Sequence, residues 1–202
     1  MKTRFFIIWI VLHCFSSFGQ TCTYKNLSKS FDFKTHIQRI SRKNEITDTC
    51  LVTVTITRKD NAKSIQTIHF GSSYFFRNVY KDCLQVRSYS TGVNNEAAAN
   101  DSDYGSLIVA DFNFDGKEDL ALKDDSGGNS GPTYDYYIQN EKGKFVKDTY
   151  LSDRMDFFPS SINKKNKTLT TIVFIGGGNS KMVYQYTAQK KSWKRIEHTI
   201  IR

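Results

Sequence analysis

The nine-residue stretch Asp111–Asp119 (DFNFDGKED) combines side-chain oxygens with a spacing that suits metal binding. The oxygen donors stand at positions 1, 3, 5 and 9 of the stretch, which are Asp111, Asn113, Asp115 and Asp119. Gly116 at position 6 permits a sharp turn, after which the backbone carbonyl of Lys117 can point inward. Carboxylates, one amide and one carbonyl form the ligand set of a hard cation. The spacing therefore predicts a calcium-binding loop.

The surroundings of this loop argue against an EF-hand. Position 12 is Leu122, where an EF-hand needs a bidentate glutamate. The flanking runs Ser106–Ala110 and Leu120–Leu122 read as strands rather than helices. A metal-free acidic turn is the alternative, because Asn, Asp and Gly also form tight turns. Magnesium fits less well, since it keeps more water and uses fewer protein ligands.

A second segment of chemical interest is Ser130–Tyr134 (SGPTY), which follows Gly127 and Gly128 in a glycine-rich loop. Loops held by a rigid sheet often carry function. A serine hydroxyl can donate to a carboxylate, and a tyrosine supplies buried area with a polar tip, as interface anchors do. The alternative is an ordinary exposed turn, with Tyr134 as a core or edge residue of the strand that follows.

Taken together, the acidic loop and the GGNSGPTYDYY segment resemble a family of exported bacterial proteins related to lysozyme inhibitors, over roughly Gly105–Thr199. Some members of this family are thought to act as immunity proteins against lysozyme-like toxins. The acidic loop by itself resembles the calcium loops of FG-GAP repeats, which are found in integrin-type propellers. The resemblance implies that the S-G-x-x-Y loop enters the cleft of a lysozyme-like peptidoglycan hydrolase. Ser130, Gly131 and Tyr134 would then be the partner-binding residues.

A second hypothesis for the function does not use this loop. In it the chain is a calcium-stabilised extracellular adhesion or carbohydrate-binding module, the metal is structural and the S-G-x-x-Y pattern is incidental. The net charge is +9 for the whole chain, and it is +7 once Lys2 and Arg4 leave with the signal peptide. This charge counts against inhibition of a basic lysozyme, because an inhibitor of a basic enzyme is usually acidic, whereas an acidic toxin or a different ligand would remove the objection.

The N-terminus predicts a signal peptide. Lys2 and Arg4 precede the apolar run Phe5–Phe15, which is too short to span a bilayer. Small residues then predict cleavage after Gly19, so that the mature protein is periplasmic or secreted. Lipid attachment at Cys14 is disfavoured, because a small residue should precede the cysteine. No other run of the sequence is apolar enough to cross a membrane.

The remaining residue patterns predict a binding protein rather than an enzyme. The sequence has no G-x-S-x-G, HExxH or Walker motif, and His36, His69 and His198 are widely separated. Asp153 and Asp156 could form a glycosidase pair, but such spacing is common on loops. The lysines are scattered, and no nucleic-acid-binding motif accompanies them.

Alternating apolar and polar runs separated by Gly, Asn, Asp and Lys turns predict an all-β fold. We expect an antiparallel meander that forms a propeller-like or sandwich-like sheet array. The expected organisation is a signal peptide at 1–19, an N-terminal β region at 20–103 and a calcium-loop β region at 104–202. The alternative is that the last two regions form one continuous domain. In an oxidising compartment two of Cys22, Cys50 and Cys83 should pair, and the sequence leaves open which two.

Overall fold

The computed structural model describes residues 19–40, 49–72, 83, 85–95, 103–125, 127–128 and 130–202. The predicted signal peptide lies outside these residues, except for Gly19, with which the first strand begins. The described strands form three sheets, each built from strands that follow one another along the chain. The all-β prediction with antiparallel pairing is confirmed, and these sheets close into neither a barrel nor a propeller.

The first sheet, here called the N-terminal sheet, is an antiparallel meander. Its strands are β1 Gly19–Tyr24, β2 Phe31–Ile40, β3 Thr49–Arg58 and β4 Ser64–Ser72. The alternation in β3 buries Val52, Val54 and Ile56, while Thr53 and Thr55 are half-buried on the other face. This pattern is the one expected of a strand with one face on a core.

The central sheet has the order β5-β6-β7-β8-β9 and is antiparallel except for the parallel pair β5 and β6. Its strands are β5 Val86–Ser88, β6 Leu107–Ala110, β7 Asp119–Asp125, β8 Thr133–Gln139 and β9 Phe145–Lys147. All four residues of β6 are buried, because both faces of this sheet are covered.

The C-terminal sheet follows a short π-helical turn at Leu151–Met155. Its strands, in spatial order, are β10 Ser161–Asn163, β11 Thr168–Phe174, β12 Asn179–Thr187 and β13 Ser192–Ile201. β10 pairs only with Thr168–Thr170, so it covers less than half of β11.

Two apolar cores join the three sheets. The first packs Phe33 and Val54 of the N-terminal sheet against Leu120 of the central sheet. The second packs Tyr136 of the central sheet against Leu169 and the rest of its cluster in the C-terminal sheet. The boundary predicted at residues 103 and 104 falls between the paired strands β5 and β6. Both predicted regions therefore contribute strands to the central sheet.

Among the cysteines that the structure describes, two form a disulfide and the third lies in a core. Cys22 of β1 pairs with Cys83, 61 residues later in the chain. Cys50 of β3 keeps its thiol and is buried in the first core. The disulfide ties the first strand of the N-terminal sheet to the segment that leads into the central sheet, and closing so long a loop restricts the unfolded chain.

Helical structure plays little part in the described ranges. None of the helices found there combines the length and the apolar character needed to cross a membrane.

Candidate functional site

The acidic loop, Asp111–Asp119, connects β6 to β7 and is anchored by its two phenylalanines. Phe112 is fully buried and meets Tyr136 and Phe158 edge-on, with ring centroids 5.2 and 5.9 Å away. Phe114 packs on Trp193 at 6.3 Å and has a left-handed φ of 61°. Gly116 is also left-handed, with a φ of 86°, so glycine meets a conformational need there. The second core thus holds the loop in a tight turn.

Side-chain oxygens of the loop accept hydrogen bonds from its own backbone. The two carboxylate oxygens of Asp111 accept from the N–H groups of Asp115 and Gly116, each at 3.0 Å. Asn113 Oδ1 accepts from the Asp115 N–H at 3.1 Å, and Asp115 Oδ1 accepts from the Lys117 N–H at 2.9 Å. These bonds turn Asp111, Asn113 and Asp115 toward the same short stretch of backbone.

Asp119 is the most constrained of the predicted ligands. Its side chain is fully buried, and Oδ2 accepts from the N–H groups of Phe112 at 2.9 Å and Asn113 at 3.4 Å. Oδ1 accepts from the Gln139 N–H at 2.9 Å, which ties the loop to the end of β8. Burial raises the pKa of Asp119 to about 7, against the lowering effect of these three bonds.

Glu118 holds the loop to the N-terminal sheet, a role that the sequence did not suggest. One carboxylate oxygen accepts from the Ser28 hydroxyl, and the other accepts from the Lys29 N–H at 2.9 Å. Since 90 residues separate Ser28 from Glu118, no local pattern could reveal the contact. The acidic loop therefore lies where all three sheets meet.

The donor chemistry of the loop fits a divalent cation, although its side chains do not converge. Among the described residues, no three His, Cys, Asp or Glu side chains group closely enough to hold a metal ion. Each carboxylate oxygen that accepts one N–H retains a further lone pair. Burial also raises the pKa of Asp111, despite its bonds to Gly116 and Asp115. A cation would offset the cost of these desolvated charges, and Asp111, Asn113, Asp115, Asp119 and the Lys117 carbonyl would hold it.

The S-G-x-x-Y segment requires a correction, because Tyr134 faces the core. Its side chain is 1% exposed and packs edge-on against Phe158 at 5.4 Å. The hydroxyl accepts from the Tyr104 N–H at 3.1 Å, and the Tyr134 N–H donates to the Asp156 carbonyl at 2.8 Å. Insertion of this ring into a target cleft would require β8 to leave the sheet. Tyr134 is therefore a core residue of β8, as in the alternative in which the S-G-x-x-Y segment is an ordinary turn before a strand.

Ser130 and Gly131 are also packed against the molecule. The Ser130 hydroxyl donates to the Phe174 carbonyl at 2.8 Å, at the end of β11. Gly131 is buried, and its N–H donates to the Gly128 carbonyl at 3.1 Å. Among the described residues of this loop, only Gly127 and Gly128 are exposed. The most exposed of the described loop residues therefore precede the predicted ones, of which Ser130 is half-buried.

The three histidines within the described ranges lie on different strands and bond to neighbouring hydroxyls. His36 pairs with Thr21 at 3.0 Å, His69 with Thr53 at 3.1 Å, and His198 with Ser180 at 3.0 Å. Each bond crosses between adjacent strands. The three side chains therefore add hydrogen bonds between paired strands.

Comparisons with models of protein families, with curated proteins and with solved structures found no significant match for this chain.

Proposed function

We propose that this chain is an exported, calcium-stabilised extracellular binding module. The observation that carries the proposal is the placement of Asp119. Its buried carboxylate joins the start of the acidic loop to the end of β8, next to the Glu118 contact with the N-terminal sheet. A cation held there would stabilise the junction of the three sheets. The predicted signal peptide and the disulfide between Cys22 and Cys83 support an oxidising, periplasmic or secreted location.

Calcium should raise the thermal stability of the mature protein. At about a hundred times its dissociation constant, a ligand that binds only the folded state adds about 2.7 kcal/mol. For a chain of this size we expect Tm to rise by about 5–10 °C, measured by calorimetry in EDTA and then in excess calcium. Asp115→Ala should lose this rise, because it removes one ligand from an exposed position where the truncation disturbs no core packing.

The control for this experiment is Glu141→Ala, which removes a carboxylate that is 84% exposed and lies outside the loop. It should keep the full calcium-dependent rise. An Asp115→Ala protein that responded to calcium like the wild type would show that the acidic loop is not the binding site.

A second candidate function is inhibition of a lysozyme-like hydrolase, and the exposed tip at Gly127 and Gly128 favours it. The residues after the tip are held in place by hydrogen bonds. Ser130 donates to a carbonyl of β11, and the Gly131 N–H donates to the Gly128 carbonyl. A Cβ on Gly127 would lie 1.8 Å from the Gly131 carbonyl oxygen, whereas a Cβ on Gly128 would meet nothing within 4 Å. Of these two glycines, Gly128 is therefore the one that can take a side chain without disturbing the loop.

If the tip enters a cleft, Gly128→Glu should weaken inhibition by about tenfold or more, because the added side chain must be accommodated in the enzyme. The measurement is the rate at which lysozyme-like enzymes clear a peptidoglycan suspension, with folding checked by circular dichroism. Gln189→Glu, which makes the same change in charge at an exposed position in the turn after β12, serves as the control. Equal inhibition by Gly128→Glu and the wild type would show that the tip does not enter the cleft of the enzyme.

A further inference from the structure

A groove of about 510 Å³ runs beside the acidic loop, at the junction of the three sheets. It is here called the basic groove, and its lining includes Lys29, Arg58, Tyr89, Lys117, Gln139 and Lys164. The volume falls within the range of pockets that hold small ligands. Its lining residues come from strand ends and turns of all three sheets, so they are brought together by tertiary packing.

The positive charge of the groove is only partly balanced. Arg58 donates two bonds to Asp60, at 3.2 and 2.9 Å, and Lys117 lies 3.5 Å from an Asp115 oxygen. Lys29 and Lys164 make no ion pair with any residue in the described ranges. Lys164 acts on Asp111 through its charge, which lowers the pKa of that carboxyl against the effect of burial, but it makes no direct contact with it. Both ammonium groups therefore keep their hydrogen-bonding capacity for an anionic ligand.

The acidic residues that line the groove are already engaged. Both oxygens of Glu118 accept hydrogen bonds from the turn at Ser28 and Lys29. Both oxygens of Asp111 accept N–H groups of the acidic loop. Bound calcium would neutralise the loop further, so the proposed metal would leave the groove more positive.

The apolar surface of the groove is small. Phe31 is only 6% exposed, whereas Tyr89 is 49% exposed. The Tyr89 hydroxyl accepts from Arg87 Nη1 at 3.0 Å, and its ring stacks on Phe158 with centroids 6.1 Å apart. Tyr89 thus offers a fixed ring edge. An apolar pocket of the kind that anchors a protein partner is not formed by these lining residues.

Hydroxyl and amide groups complete the lining, from Ser30, Ser90 and Gln139. Lysine ammoniums, hydroxyls, an amide and one aromatic edge match a ligand with carboxylates or sulfates on a hydroxyl-rich frame. We propose that the basic groove binds an acidic saccharide. This assignment rests on the proposed function as an extracellular binding module and names its ligand class.

The test uses an array of uronate- and sulfate-bearing oligosaccharides beside neutral ones of matched length, followed by titration calorimetry with the best binder. We expect the calcium-loaded mature protein to bind acidic members and not the neutral ones, with affinity that falls as salt is raised. Lys29→Gln combined with Lys164→Gln should lower the affinity by about tenfold or more.

A charge-matched control separates the groove from the general positive charge of the chain. Lys190→Gln combined with Lys194→Gln removes two exposed lysines that do not line the groove. This control should bind within about twofold of the wild type. Equal losses in the two double variants, no acidic saccharide bound, or equally tight binding of a hexaglutamate peptide would each overturn the assignment.

The calcium-dependent rise in Tm, measured on the same variants, distinguishes failure of this assignment from failure of the proposed calcium site. A Lys29→Gln, Lys164→Gln protein should keep that rise while losing the saccharide. A wild-type protein that responds to calcium but binds no acidic saccharide would overturn the ligand class and leave the calcium site standing.

Discussion

In calcium-free buffer, the free energy of unfolding should fall by about 4 kcal/mol between about pH 4 and pH 7 because of Asp119. The ordinary pKa of this carboxyl is 3.8, and burial raises it to about 7 in the folded protein. The unfolded chain therefore releases this proton first as pH rises, and the folded state is destabilised until its own pKa is reached. The measurement is urea unfolding in EDTA across this pH range.

Asp119→Asn isolates the effect, since the amide does not titrate. The difference in stability between wild type and variant should change with pH by about 4 kcal/mol, whatever other groups contribute. Calcium should oppose the loss at pH 7, because a cation favours the ionised carboxylate for which the proton competes. A wild-type and variant pair with parallel pH profiles would contradict the burial-driven shift of Asp119.

Tyr134→Ala should lower the free energy of unfolding by about 4 kcal/mol, as expected for a large aromatic ring removed from a packed core. Tyr134→Phe should cost about 1 kcal/mol, because it keeps the ring and loses only the hydroxyl that accepts from the Tyr104 N–H. Both values are measured by urea unfolding. A loss below about 1 kcal/mol for Tyr134→Ala would contradict its core position.

This result bears on how inhibition experiments are interpreted. A Tyr134→Ala protein that failed to inhibit a hydrolase would have lost stability, so the failure would carry no information about contact with the enzyme. Gly128→Glu changes the exposed tip where a Cβ meets nothing within 4 Å, so it gives the direct answer.

Strand positions could be predicted well where alternation is strong. The alternation within Cys50–Thr57 is sufficient to predict β3, and that within Thr168–Ile175 is sufficient to predict β11, because every second residue of each strand faces a core. β2 has ten residues but lies in a stretch of polar composition that does not suggest a strand. Its exposed Lys34, His36 and Gln38 nevertheless alternate with buried residues, so the two-residue period is present in this strand.

The candidate site was predictable only as far as its determinants are local. The spacing of Asp111, Asn113 and Asp115 lies within one turn, and the structure brings their oxygens to a single stretch of backbone. The burial of Tyr134 depends on Phe158, which comes from a different part of the chain. The Glu118 contact with Ser28 and the convergence of lysines in the basic groove are likewise products of tertiary packing.

The bond from Ser130 to the Phe174 carbonyl has a consequence for association between molecules. Beyond Thr170, β11 has no partner strand among the described residues on the side where β10 pairs, and an exposed row of carbonyls and N–H groups can recruit a strand from another chain. The Ser130 hydroxyl donates to the carbonyl of Phe174, the last residue of β11. The glycine-rich loop therefore occupies one of the backbone acceptors that a second chain would need for β-pairing, and it contributes to the protection of this edge against aggregation.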